Sequence, residues 1–252
     1  MRYYIISGAS RGIGAGIARA LMQPDSVIFA LARHEGPELK PAAEKAGSEL
    51  HFLSVDLADT PSIEPALDRI FRQIDPQQAE GIYLVNNAGV LKPIGPLETH
   101  SLEEDEFHLR VNLLAPMRLT AGFIRRTNGV AARKVVANIS SGAAQRAYFG
   151  WSSYCSGKAG LEMYTRVAGL EQQDAEFPVV IYAIAPGIVD TDMQVQIRQA
   201  DDAQFRDRPK FLRYHEKGYL ASAEATGRRL AATLDDPGIQ PGDVLDIRDL
   251  EQ

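Results

Sequence analysis

The chain has 252 residues, 45% hydrophobic and 24% charged, which excludes a disordered chain, a collagen-like repeat and a coiled coil. Its 27 basic and 33 acidic side chains leave a formal charge of −6, so no basic footprint marks a nucleic-acid surface. No apolar run approaches the roughly 20 residues that span a bilayer, and the length suits one large α/β domain or two small ones.

Short apolar runs alternate with longer amphipathic stretches along nearly the whole chain. The runs 3–6, 27–32, 50–55, 82–85, 134–139, 179–184 and 244–247 are mostly continuous, as strands buried on both faces of a parallel sheet are. Between them the patterning predicts helices over about 13–23, 37–46, 61–74, 102–126, 154–172 and 223–234. This β-α alternation predicts right-handed crossovers and a doubly wound, mostly parallel seven-stranded α/β sheet with helices on both faces. No repeat or linker divides the sequence, so residues 1–252 read as a single domain. The stretch 191–220 breaks the rhythm. It is polar and charged, with Phe205, Phe211, Tyr214 and Tyr219, and reads either as a substrate lid after a strand end or as a surface insertion without a role. The start, Met1-Arg2-Tyr3-Tyr4-Ile5-Ile6, reads as a strand rather than a secretory leader. Cys155 is the only cysteine, which forbids an internal disulfide and predicts a reducing, cytoplasmic setting.

The first strand runs directly into Ser7-Gly8-Ala9-Ser10-Arg11-Gly12-Ile13-Gly14. Glycines here permit a tight turn and close backbone approach, and the helix that follows offers N–H groups and a positive dipole end to a pyrophosphate. Gly8, Ser10, Arg11, Gly12, Ile13 and Gly14 are therefore candidate dinucleotide contacts. An NAD site usually places an acid after the second strand, to accept the ribose hydroxyls. Here that strand ends in Arg33, and Arg11 lies within the first turn. Two guanidinium groups can grip a 2′-phosphate, which predicts NADP(H) as the cofactor. Glu35 is the competing feature, because a small loop shift would present it to the ribose instead.

Further along, Tyr154-Cys155-Ser156-Gly157-Lys158 opens a long helix and puts Tyr154 and Lys158 one turn apart on one face. Ser140-Ser141 ends the strand before it, Asn86-Asn87-Ala88-Gly89 follows the fourth strand, and Asn112 lies in the intervening helix. A free tyrosine has a pKa of about 10 and exchanges protons poorly at neutral pH. A neighbouring ammonium stabilises the phenolate and is expected to bring that pKa toward working pH, while a serine hydroxyl holds the substrate oxygen. Tyr and Lys at this spacing also occur on solvated helices. The five histidines show no metal-ligand spacing with one another or with Cys155, so no metal is expected. The acidic run Glu103-Glu104-Asp105-Glu106 reads as a helix start, where negative charge suits the dipole.

In these pieces the sequence resembles the short-chain dehydrogenase/reductase family, in its single-domain Rossmann form, over essentially the whole chain. The matching residues are Gly8/Gly12/Gly14, Asp56-Leu57, Asn86-Asn87-Ala88-Gly89, Asn112, Ser141, Tyr154-x-x-x-Lys158, and Pro186-Gly187 with Thr191. The resemblance implies Tyr154 as general acid/base and Ser141 as the group that polarises the carbonyl. It implies Lys158 on the nicotinamide ribose, tuning Tyr154, and Asn112 holding a water of the proton relay. Asp56 and Leu57 would flank the adenine, and Asn87, Ala88 and Gly89 the ribose beside it. Pro186, Gly187, Val189 and Thr191 would meet the nicotinamide carboxamide. Ser7 stands where the family usually has threonine. A homodimer or homotetramer, joined through the helices at 102–126 and 154–172, is implied in the same way.

Phe149-Gly150-Trp151-Ser152-Ser153-Tyr154 and Ala185-Pro186-Gly187-Ile188-Val189-Asp190-Thr191-Asp192-Met193 are similar to the sepiapterin reductase branch. Asn112-Leu113-Leu114-Ala115-Pro116-Met117 and Ile139-Ser140-Ser141-Gly142-Ala143 are closer to bacterial benzil reductases of the (S)-benzoin-forming type. Both branches imply a small-molecule vicinal dicarbonyl, or a hydroxyketone made from one, beside a flat aromatic system. Tyr148, Trp151 and Met193 are then expected to border the substrate, together with Ser141 and Tyr154. Phe149 and Trp151 have an equal claim to packing the helix start. Asp246 falls where sepiapterin reductases anchor a pterin edge. The expectation is an NADPH-dependent reductase of aromatic or heteroaromatic vicinal diketones. A sepiapterin-type reductase, a non-catalytic dinucleotide sensor and an oxidative NAD-dependent alcohol dehydrogenase remain as alternatives.

Overall fold

The computed structural model describes residues 1–251. Among the described residues nine strands form: β1 (Arg2–Ser7), β2 (Ser26–Ala32), β3 (Glu49–Ser54), β4 (Gly81–Asn86), β5 (Arg133–Ile139), β6 (Val180–Ala185), β7 (Val189–Asp190), β8 (Ala221–Ser222) and β9 (Val244–Asp246). Seven of them make one sheet in the order β3-β2-β1-β4-β5-β6-β9, every pair parallel. The predicted doubly wound sheet is therefore observed, with each strand within a few residues of its expected place.

Continuous apolar strands follow from helices on both faces. Alternate residues of β1 illustrate the division. Tyr4 and Ile6 pack into one layer with Ile17 and Leu21 of α1 (Gly12–Leu21) and Leu230 of α9 (Ala223–Thr233). Tyr3 and Ile5 pack into the other layer with Leu67 of α3 (Ile63–Phe71) and Phe123 of α5 (Ala115–Thr127). Both faces of the sheet are covered by such layers, so register rests on the whole set of crossovers. Strand order reverses between β1 and β4, which opens a crevice at their carboxyl ends.

Two elements differ from the sequence reading. The single helix expected over 102–126 is broken into α4 (Leu102–Leu109), a π-helical turn (Arg110–Leu114) and α5. Ser101 and Glu104 form a reciprocal capping box at its start, and the acidic run fills the first turn as expected. The break follows from Pro116, near the N-terminus of α5, which has no N–H to donate to the Asn112 carbonyl as an α-helix requires. The stretch 191–220 is folded rather than loop-like. It holds α7 (Asp192–Gln199) and α8 (Arg208–Glu216), closed by a two-stranded pairing of β7 with β8 around buried Phe205 and Phe211. Among the described residues no helix is long and apolar enough to cross a membrane.

Candidate active site

A cleft of about 1330 Å³ runs along the carboxyl ends of the strands. At one end, Gly8 and Gly12 adopt φ of +67° and +56°, a region that favours glycine. Gly14 sits so close to the turn that a Cβ there would lie 2.3 Å from the Gly8 carbonyl oxygen. The turn is tied to β4 from both sides. The Asn87 amide donates to the carbonyls of Ser7 (3.0 Å) and Gly8 (3.2 Å), and Ser7 Oγ accepts from the backbone of Asn87 (3.0 Å) and Ala88 (3.1 Å). Serine thus makes the turn bond expected of the family's threonine. Helix α1 starts without a side-chain cap and with no acid in its first turn, leaving N–H groups and the positive dipole end facing the cleft. This donor set, beside Ser10 and Ile13, fits a pyrophosphate.

The two arginines of the sequence reading separate. Arg11 is ion-paired with Asp192 at 2.7 Å, both largely exposed. Arg33 is exposed after β2 and lines the same cleft as Glu35, Asp56 and Leu57. Its guanidinium has no carboxylate partner among the described residues. Ala88 and Gly89 line the middle of the cleft, and Pro186, Gly187, Val189 and Thr191 its far wall.

Ser141, Tyr154 and Lys158 meet across the centre. Ser141 follows β5 and accepts the Ala143 N–H at 3.2 Å. Helix α6 (Ser152–Glu171) puts Tyr154 in its first turn and Lys158 one turn later. Lys158 Nζ donates to the Ile139 carbonyl at 2.8 Å. Burial lowers its pKa to about 8, partly opposed by the Glu162 carboxylate four residues on. Burial likewise raises the Tyr154 pKa, against a Ser141 hydrogen bond that favours the phenolate. The lowered tyrosine pKa expected from the ammonium is therefore corrected. Desolvation dominates, and the ammonium is engaged by a backbone oxygen.

Asn112 sits on the π turn with its whole side chain committed. Its Nδ2 donates to the Val90 carbonyl (2.8 Å) and to His108 Nε2 (2.7 Å), while Oδ1 accepts the Val90 N–H (3.0 Å). His108 Nδ1 donates to the Lys92 carbonyl at 2.8 Å, which fixes the tautomer and leaves Nε2 as acceptor. Burial favours this neutral imidazole, with the Lys92 bond acting in the opposite sense. His108 also packs edge-on to Tyr154, ring centroids 5.9 Å apart. Sequence reasoning weighed the histidines only as metal ligands and missed this role. The spacing of four from Asn112 on one helix was the available signal. No group of His, Cys, Asp or Glu among the described residues could hold a metal ion.

On the substrate side Tyr148, Trp151, Phe211, Tyr214 and Met193 line the cleft. Met193 Sδ lies 3.8 Å from the Tyr154 hydroxyl. Trp151 is buried and stacked on Phe205 at 4.3 Å, so it packs the 191–220 stretch against the start of α6 as well as bordering the cavity. Phe149 is covered by Arg206, 3.8 Å above its ring, and does not reach the cleft. Asp246, on edge strand β9, is clasped by the Arg248 guanidinium at 2.8 and 2.5 Å and accepts the Arg248 N–H. Asp246 lines the cleft with its carboxylate paired to Arg248 rather than free.

Known proteins agree with this geometry. A family model described as short chain dehydrogenase matches residues 2–202. The chain is 38% identical to benzil reductase ((S)-benzoin forming) of Bacillus cereus, over 98% of this chain and 99% of that protein. It is 29% identical to sepiapterin reductase of Rattus norvegicus, over 98% of this chain and 96% of that protein. A solved short-chain dehydrogenase/reductase from Saccharomyces cerevisiae superposes with a TM-score of 0.82 at 24% identity, covering 99% of this chain and 97% of that one. With the glycine turn, the Ser141–Tyr154–Lys158 centre and the parallel sheet in place, the chain belongs to the short-chain dehydrogenases, oxidoreductases that bind NAD(P).

Proposed function

We propose that the chain is an NADPH-dependent carbonyl reductase that reduces one carbonyl of an aromatic or heteroaromatic vicinal diketone. The observation that carries this reading is the convergence of Ser141, Tyr154 and Lys158 on one cleft whose walls include Tyr148, Trp151 and Phe211. In the reductive direction Tyr154 is the proton donor at the carbonyl oxygen.

A reduced nicotinamide dinucleotide, held along the cleft, supplies the hydride. Tyr154 gives the proton to the substrate oxygen, and Ser141 donates to the same oxygen and stabilises the developing alkoxide. Lys158 binds the nicotinamide ribose, and its charge assists when Tyr154 is reprotonated. The Asn112 carbonyl, released by Pro116, holds the relay water. Gly8, Ser10, Arg11, Gly12, Ile13 and Gly14 cradle the pyrophosphate. Asp56 and Leu57 flank the adenine, and Asn87, Ala88 and Gly89 follow the adjoining ribose. Pro186, Gly187, Val189 and Thr191 orient the carboxamide. Tyr148, Trp151 and Met193 orient the substrate arms, and the folded stretch 191–220 acts as the substrate lid. Met163, Val167 and Leu170 form an exposed stripe on α6, and Leu102 of α4 and Leu114 of the π turn are exposed as well. We assign a homodimer or homotetramer contact to this face. The free thiol of Cys155 suits the cytoplasm.

Steady-state oxidation of NADPH with benzil, sepiapterin and an aliphatic diketone tests the reading side by side. Benzil should have the highest kcat/KM. Turnover of the aliphatic compound alone would remove the aromatic specificity, and sepiapterin as the best substrate would restore the pterin alternative. Arg33→Asp tests the cofactor. Losing charge-assisted bonds to a 2′-phosphate should lower NADPH preference over NADH by about 10–100-fold. Unchanged selectivity would transfer that role to Arg11.

A further inference from the structure

The substrate half of the cleft carries two cations that no carboxylate answers. Arg146 lies in the loop between β5 and α6, and Lys210 in α8, so separate elements bring them together. Both line the cleft. Arg146 Cζ is 5.3 Å and Lys210 Nζ 5.7 Å from the centroid of one ring, that of Tyr148. Neither has an ion-pair partner among the described residues. The acids sharing the cavity wall nearby are engaged elsewhere: Asp246 by Arg248, Asp192 by Arg11, and Asp190 opposite Arg198 at 3.9 Å. Glu35 and Asp56 belong to the far end, after β2 and β3. In a chain with a formal charge of −6, two like charges converging on one ring are an unbalanced feature.

Their position relative to the reacting group is also defined. Tyr148 lies 5.0 Å from Trp151, and Trp151 lies 5.5 Å from Tyr154, centroid to centroid. The cations therefore stand at the outer end of a row of rings whose inner end is the proton-donating phenol. An aryl arm lying along that row would carry its remote edge to them.

We propose that Arg146 and Lys210 form an anion subsite, and that the preferred substrate is an aryl dicarbonyl bearing a carboxylate on the ring remote from the reduced carbonyl. This rests on the carbonyl reductase reading and names its substrate class more narrowly. The planar guanidinium matches a carboxylate in two-point contact, and the ammonium adds a mobile point charge. Arg146 is exposed and Lys210 half-buried, so the subsite acts mainly on KM and weakens with salt.

The test compares benzil with benzil-4-carboxylate in wild type and in an Arg146→Gln/Lys210→Gln double variant, at low and high ionic strength. The expected result is a kcat/KM about tenfold higher for the carboxylate in wild type, falling with salt. In the double variant the ratio of the two substrates should drop to near one, through KM. Equal kcat/KM for both in wild type, or a variant that slows both in proportion, overturns the proposal. Calorimetric binding of benzil-4-carboxylate to the NADPH-loaded protein separates this from failure of the underlying reading. Affinity lost in the variant with no turnover of either dicarbonyl would sink the reductase and keep the subsite. Affinity unchanged by the variant would sink the subsite whatever the turnover.

Discussion

Tyr154→Phe should lower kcat by about 10²–10⁴-fold, the usual worth of a positioned general acid, while dinucleotide affinity stays close to wild type. The ring has packing partners that do not depend on its hydroxyl. Trp151 lies 5.5 Å away on one side and His108 5.9 Å away on another, so phenylalanine keeps the first turn of α6 in place. The hydroxyl itself is committed to the chemistry. Its neighbours are Ser141, which hydrogen-bonds it, and the Met193 sulfur, which cannot replace it as a proton donor. Single-turnover kinetics with pre-bound NADPH, together with cofactor titration by fluorescence, separate the two quantities. A variant that kept most of its turnover would reassign the acid. One that lost cofactor affinity to the same degree would make Tyr154 a binding residue.

Gly14→Ala is the second large effect, and it acts on the cofactor cradle. The added methyl would lie 2.3 Å from the Gly8 carbonyl oxygen and 2.4 Å from Asn87 Nδ2. The first of these is backbone. The second belongs to an amide that donates to both Ser7 and Gly8, so neither gives way cheaply. Overpacking of this kind costs about 1–3 kcal/mol, which for a chain of this size lowers Tm by roughly 2–4 °C per kcal/mol. Opening the turn also misaligns the N–H groups of α1, so dinucleotide affinity should fall by more than about tenfold. Gly142→Ala is the matched control, since a Cβ there meets nothing within 4 Å and should leave Tm unchanged. Equal melting temperatures for the Gly14 variant and wild type would show that the turn relaxes and that the close approach is not essential.

Much of the site was legible because its signals are local. The glycine turn occupies consecutive residues, and Tyr154 and Lys158 share a helix face by spacing alone. Ser141 and Asn87 fall at strand ends, where a doubly wound sheet gathers its ligands. Strand positions were equally readable, because burial on both faces leaves uninterrupted apolar runs in the chain.

What tertiary structure decided depends on partners distant in sequence. Pairing of Arg11 with Asp192 and of Asp246 with Arg248 redistributes charges that look equivalent in a string of letters, while Arg33 lines the cleft with no carboxylate partner among the described residues. The polar stretch 191–220 became two helices because Phe205 and Phe211 found Trp151 to pack against, a contact no local period announces. The His108–Asn112–Val90 clasp needed a loop to arrive from β4. The sense of the Tyr154 shift was decided last, because desolvation is set by everything packed around the phenol and outweighs the one hydrogen bond opposing it. Sequence alone thus determined the architecture and the chemical types at the centre. Folding determined which charges find partners and which way burial shifts the ionisation of the central groups, since both depend on surroundings that only the packed chain creates.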